Sequence, residues 1–213
     1  MFSPLLRSRF ESRERNYEAL VDMLQQAGLA ILWFDNQWGC KGVCDRVPSV
    51  DVSNLKNPKL CSGGECRDEI FVDGLDKRLA AVPAERRAQG VVLVMHQMGS
   101  HGPVYFLRSL PASKQYLPDC TTNNLQNCSQ SEVVKAYDNS MVYTEEVLVS
   151  TIDWLKKYQA HYDIAIVYFC DYGKPLGENN LYLYGMPYSM SPGVQKKFPG
   201  SHGCRRTLND TAA

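Results

Sequence analysis

Short apolar runs set the plan of this chain. Leu29 to Phe34, Gly90 to Met95 and Ile164 to Phe169 each read as a buried strand. Runs of this length, bounded by turn residues, fit strands covered on both faces. Between them the spacing turns helical. Tyr17, Leu20, Val21 and Leu24 predict a helix stopped at Gly28, and Ile70, Phe71, Leu75 and Leu79 predict a second one that ends before Pro83. Ser129 and Glu132 form a capping box, and Val134, Tyr137, Met141, Leu148, Ile152 and Leu155 mark one face of a long helix behind it. Strands alternating with helices predict an α/β/α sandwich with a largely parallel central sheet. Right-handed crossovers bring the strand ends to one edge. Asp35, His96 and Asp171 are therefore expected on a common rim.

Composition changes this picture little. The chain is 44% hydrophobic and 22% charged, ordinary values for a globular protein. Lys+Arg and Asp+Glu both number 23, so no global basic field recruits nucleic acid. The apolar runs are too short to span a bilayer. Residues 1 to 15 are rich in Arg and Glu and carry no apolar signal-peptide region.

The cysteines point to an oxidising compartment. Cys40/Cys44, Cys61/Cys66 and Cys120/Cys128 are close pairs in loop-like sequence, which reads as local disulfides. Zinc is the rival reading, but these spacings lack a well-placed second pair or histidine. Disulfides without an export signal lead to the expectation that the amino terminus is missing.

The candidate chemistry sits at strand ends and in the loops after them. Asp171 is an oxygen ligand suited to Zn2+ or Mg2+, and His101 is a possible nitrogen ligand or phosphate donor. Lys41 can neutralise an anionic group. Each also has a plain reading: a turn-capping aspartate, a loop histidine and a solvated lysine.

Read together, these segments closely resemble the phosphoethanolamine transferases that modify lipid A. The resemblance runs from Met1 to about Pro199. It rests on Gly39-Cys40-Lys41-Gly42-Val43-Cys44-Asp45, on His96-Gln97-Met98-Gly99-Ser100-His101-Gly102-Pro103, on Tyr137-Asp138-Asn139 and on Leu176-Gly177-Glu178-Asn179. It implies an alkaline phosphatase/sulfatase-like catalytic domain, here incomplete at both ends, with residues 200–213 as a tail outside the family. It further implies an inner-membrane protein with a periplasmic catalytic domain, Zn2+ as cofactor and phosphatidylethanolamine as donor. Lipid A is the implied acceptor and polymyxin resistance the implied consequence. Asp171 falls on a zinc ligand, and Lys41 and His101 fall on substrate-binding or secondary metal positions. The close Cys pairs match the family's periplasmic disulfides.

The departures fall on the chemistry. The family's zinc-binding Glu and its Thr nucleophile precede the position matched by Met1. Tyr172 stands where the family has a zinc His, Lys174 and Pro175 stand where it has Glu and Ser, and Tyr184 replaces a second His. Phenol is a poor zinc ligand at neutral pH because its pKa lies near 10. The expectation is a truncated, inactive portion of a transferase domain. The alternatives are a remodelled metal-dependent phosphodiester hydrolase and a non-enzymatic lipid-phosphate binding module.

Overall fold

Two of the three expected strands pair with each other in parallel. The structure is a computed structural model that describes residues 17–62, 65–170, 173–177, 182, 193 and the backbone of 205–207. It forms two compact units, Met1–Met98 and Gly99–Ala213.

The first unit is built around a parallel sheet. Strand β1 (Ala30–Asp35) lies between β2 (Ser49–Asp51) and a longer strand, Val91–His96, and all three run parallel. The sequence between them supplies a hairpin, β3 (Cys61–Ser62) against β4 (Glu65–Cys66), so Val91–His96 is β5. Helix α1 (Leu20–Gln26) precedes β1, and α2 (Leu75–Ala80) and α3 (Ala84–Gln89) precede β5. The strand positions and α1 match expectation, but β5 is half-buried along its length rather than buried. The second expected helix is divided: Asp68–Phe71 is a 3-10 turn, α2 ends before Pro83, and α3 follows it.

β1 is buried on both faces. Ile31 and Trp33 pack with Ala19, Val21, Cys44 and Val47, while Phe34 is buried with the Arg78 guanidinium 5.2 Å from its ring centre. Such double coverage is what a parallel strand requires. Gly90, at φ 115, is needed where α3 turns into β5, because a Cβ there would meet Leu29 Cδ2 at 2.7 Å.

The loop after β1 is tied back to α1. Ala19 at the helix start has no side-chain oxygen, so the Asp22 carboxylate reaches back to accept from its N–H at 2.6 Å. Arg46 then donates to both Asp22 oxygens, at 3.0 and 2.5 Å. This fork-to-carboxylate pairing is the strong form of ion pair.

The second unit is organised by α4 (Gln130–Lys156), which carries the predicted capping box. Ser129 Oγ accepts from Glu132 N at 3.3 Å, and the Glu132 carboxylate accepts from Ser129 N at 2.7 Å. The buried face differs from the predicted one. Val134, Tyr137, Met141, Leu148, Ile152 and Leu155 are half-buried, whereas Val133, Ala136, Ser140, Tyr143, Val147, Thr151 and Trp154 are fully buried. The stripe is displaced by one residue, about 100° of helix rotation. Its polar members are satisfied within the helix: Thr144 and Thr151 donate to the carbonyls of Ser140 and Val147, each at 2.9 Å.

Residues before α4 wrap against it. Tyr105, Cys120, Leu125, Val133 and Ala136 form the core, and Tyr105 meets Tyr137 edge-on at 5.7 Å. The third expected strand is present as β6 (Ala165–Val167). Among the described residues it pairs antiparallel with β7 (Arg205–Thr207), not with a parallel neighbour. No helix of the described residues is long and apolar enough to cross a membrane.

Candidate functional site

The carboxyl edge of the β1–β5 pair brings two of the three expected rim residues together. Asp35 and His96 end adjacent parallel strands in direct register, and the His96 Nδ1 lies 2.8 Å from Asp35 Oδ2. The Asp35 carboxylate is buried and well supplied with donors. Its Oδ1 accepts from the backbone N–H groups of Gln37 and Gly39, each at 2.9 Å, and Trp33 Nε1 approaches Oδ2 at 3.4 Å. Burial opposes ionisation, but the His96 hydrogen bond and the two backbone donors outweigh it and hold the carboxyl below its ordinary range. An ionised carboxylate only accepts, so Nδ1 of His96 carries the hydrogen of this contact. Trp33 packs edge-on against the imidazole at 5.8 Å.

A second layer fixes this edge from beneath. The fully buried Asn36 donates through Nδ2 to Asp68 Oδ1 and to the Cys66 carbonyl, each at 2.8 Å. Asp68 Oδ1 also accepts from Met98 N at 2.9 Å, and the Gln37 side chain donates to the Gln97 carbonyl. The segment after β1 is thereby joined to the segment after β5. The sequence carries no local signal for these ties, because the partners lie 30 or more residues apart.

Lys41 lies in the loop directly after this edge, at φ 49, between Cys40 and Cys44. Those cysteines form a disulfide, as do Cys61–Cys66 and Cys120–Cys128. All three expected pairings are present. His101 belongs to the other unit, where it is half-buried and its carbonyl accepts from Arg108 Nε at 3.1 Å. The division between units falls between Met98 and Gly99, inside the His96 to Pro103 motif. Asp171, Tyr172 and Tyr184 lie outside the described residues, and so does Cys204.

Metal chemistry finds no fitting ligand set among the described residues. The grouping with ligand atoms within 4.8 Å of one another is Cys40, Cys44 and Asp45. Two of these are joined in a disulfide. Metal binding by cysteine needs thiolate, which a disulfide does not provide.

Comparison with known proteins agrees with the fold. Residues 1–199 match the family described as Sulfatase. The chain is 41% identical over 200 residues to the phosphoethanolamine transferase EptA of Salmonella typhimurium, covering 93% of this chain and 36% of that protein. The integral membrane lipooligosaccharide phosphoethanolamine transferase A of Neisseria meningitidis superposes with a TM-score of 0.83 at 34% identity, over 91% of this chain and 35% of that one. The C-terminal periplasmic domain of phosphoethanolamine transferase EptC from Campylobacter jejuni superposes at 0.75 and 34% identity, over 91% and 58%. The chain thus spans little more than a third of the length of the EptA relative. The fold is alkaline phosphatase/sulfatase-like, with its parallel sheet and flanking helices.

Proposed function

We propose that this chain, which belongs to the sulfatase family, corresponds to part of the catalytic domain of a phosphoethanolamine transferase acting on lipid A. The observation that carries this reading is the 41% identity to EptA over 93% of the chain. In that reading the domain faces the periplasm from the inner membrane, and three local disulfides suit that compartment. Phosphatidylethanolamine is the donor: a nucleophile attacks its phosphorus, the diacylglycerol oxygen leaves, and the phosphoethanolamine group passes to a phosphate oxygen of lipid A. The added ammonium offsets anionic charge on lipid A, which would weaken adsorption of cationic antibiotics such as polymyxin.

The roles of this chain's own residues follow from their chemistry. Lys41 supplies positive charge to a phosphate group, and His101, taken separately in the other unit, is read as a hydrogen-bond donor to phosphate. Asp35 holds the His96 ring with Nδ1 protonated. Asp171 is the one residue of this chain assigned to zinc, which in this family polarises phosphoryl oxygens. Tyr172 and Tyr184 in place of histidines remove nitrogen ligands, and loss even of a supporting group commonly costs about 10- to 100-fold in metal affinity or activity. With tyrosines at those two positions, the reading is of a stretch that binds lipid phosphate and holds zinc weakly.

The test combines turnover with binding. Purified chain is incubated with zinc, a fluorescent phosphatidylethanolamine and lipid A, and products are followed by mass spectrometry. No transfer is expected, together with saturable, salt-sensitive binding to lipid A that weakens in Lys41→Ala. Zinc-dependent hydrolysis of the phosphodiester would instead establish a remodelled hydrolase. Failure to bind lipid A would overturn the reading.

A further inference from the structure

We propose that the segment at Tyr116–Leu117 is a contact with the surface of a phospholipid bilayer, in which the Leu117 side chain enters the acyl boundary and the Lys135 ammonium meets lipid phosphate. The proposal is independent of the transferase reading, and its probes contain neither phosphatidylethanolamine nor lipid A.

Among the described residues Leu117 is the most exposed large hydrophobic side chain, at 63%, and its neighbour Tyr116 is 43% exposed. Exposed apolar side chains are common on protein surfaces, so exposure alone carries nothing. The backbone sets this segment apart. Asn139, fully buried on α4, accepts from Gln115 N and Tyr116 N and donates to the Tyr116 carbonyl, each at 2.9 Å. Lys135, also on α4, donates from Nζ to the Leu117 carbonyl at 3.2 Å. Four backbone polar groups of one loop are therefore bonded to side chains of a helix instead of to water. The flanks are tied as well. Lys114 pairs with Asp119 at 2.6 Å, and Cys120, joined to Cys128, donates from its N–H to the Glu132 carbonyl at 3.1 Å.

A loop held in this way can leave water at little cost. Unpaired N–H and C=O groups are what ordinarily keep loop backbone out of lipid. Here the protein satisfies them, and the side chain that remains in solvent is a leucine. Tyrosine is the residue type that concentrates at the headgroup level beside such apolar groups. The Lys135 ammonium is fixed at the Leu117 carbonyl, at the base of the tip, where phosphates lie once Leu117 is inserted.

Size selects the partner. A stable protein–protein contact buries about 800 Å² on each side, and two exposed side chains fall well short of that. A bilayer contact combines a small apolar insertion with attraction to anionic lipid, and each inserted group adds to it separately.

The experiment titrates the full chain carrying Trp38→Phe and Leu117→Trp with vesicles of phosphatidylcholine and phosphatidylglycerol. Trp33 and Trp154 are buried, so the emission change reports position 117. The emission is expected to move saturably to the blue and to be quenched by lipid brominated along the acyl chain. In cosedimentation of chains that keep Trp38, Leu117→Ser should weaken vesicle binding about tenfold, the scale of burying one leucine. Lys135→Gln should weaken it about fivefold and reduce its salt dependence. Val149→Ser, at a site 55% exposed and about 15 Å along α4 from Asn139, should bind as the parent does. Leu117→Ser should melt with the parent, because the side chain lies in solvent. Absence of the blue shift would overturn the proposal, and so would full binding by Leu117→Ser or an equal loss in Val149→Ser. Self-association that Leu117→Ser abolishes, without vesicle binding by the parent, would overturn it in favour of a contact between proteins.

Discussion

Asp35 and His96 end neighbouring parallel strands in register, and their side chains meet at 2.8 Å. A parallel ladder places residues with the same register position side by side at the same edge. Each of the two apolar runs is followed by a polar group, and strand pairing turns those two sequence endings into one contact. The contact orients a histidine ring at the edge where open α/β sheets bind ligands.

Asp35→Asn should disturb that orientation more than the fold. The amide can still accept from Gln37 N and Gly39 N, but its NH2 group then faces donors at Trp33 Nε1 and His96 Nδ1. Loss of hydrogen bonds to a charged group predicts about 1.5 to 3 kcal/mol of destabilisation in urea. Nitrogen NMR of the imidazole should show Nδ1–H in the parent and a mixed or reversed tautomer in the variant. An unchanged tautomer would remove Asp35 from the role of orienting group.

Stability should fall on the acid side. Asp22 and Asp35 are both held below the ordinary value of 3.8. In each case burial opposes ionisation and is outweighed, by Arg46 and the Ala19 N–H for Asp22 and by His96 and backbone donors for Asp35. A lowered folded value means the contribution is complete above about 3.8 and is lost as pH falls through the folded values beneath it. Urea midpoints should therefore be flat from neutral pH to about 5 and drop below about 4. Asp22→Asn and Asp35→Asn should each flatten part of that drop. An acid limb of the same slope in both variants would contradict the assignment.

Asn139→Ala should be among the costliest single changes in the second unit. The fully buried Asn139 accepts from Gln115 N and Tyr116 N and donates to the Tyr116 carbonyl, all at 2.9 Å. These bonds hold the chain before α4 against the helix. Removing them leaves backbone groups unpaired, and about 2 to 4 kcal/mol is expected by denaturant unfolding. Hydrogen exchange at Gln115 and Tyr116 should rise at the same time. Unaltered protection there would show that the helix packs without this tie.

Reduction should act through the unfolded chain. Cys40–Cys44, Cys61–Cys66 and Cys120–Cys128 close short loops, with sequence separations of 4, 5 and 8. Loop-closure entropy makes each worth about 2 to 2.6 kcal/mol, with the longest loop at the top. Replacing Cys120 and Cys128 by serine should lower the melting temperature more than replacing Cys40 and Cys44. The reverse order would point to native-state contacts in the first loop, where the disulfide holds the Trp38 and Lys41 turn.

Local chemistry alone determined much of this protein. The apolar runs at Leu29 and Gly90, the Ser129–Glu132 cap and the three cysteine pairs depend on neighbours within a few residues, so their pattern is legible in the chain. The order of motifs from Gly39 to Asn179 likewise carried the family. Tertiary structure decided the rest. Hydrophobicity placed the buried face of α4 one residue off, because Ser140, Thr144 and Thr151 satisfy their hydroxyls on helix carbonyls and so enter the core at little cost. Asn139 is buried for a different reason: distant backbone groups need it as a partner. The partner of β6 lies some 40 residues away, and the meeting of Asp35 with His96 depends on a register that neither strand specifies alone.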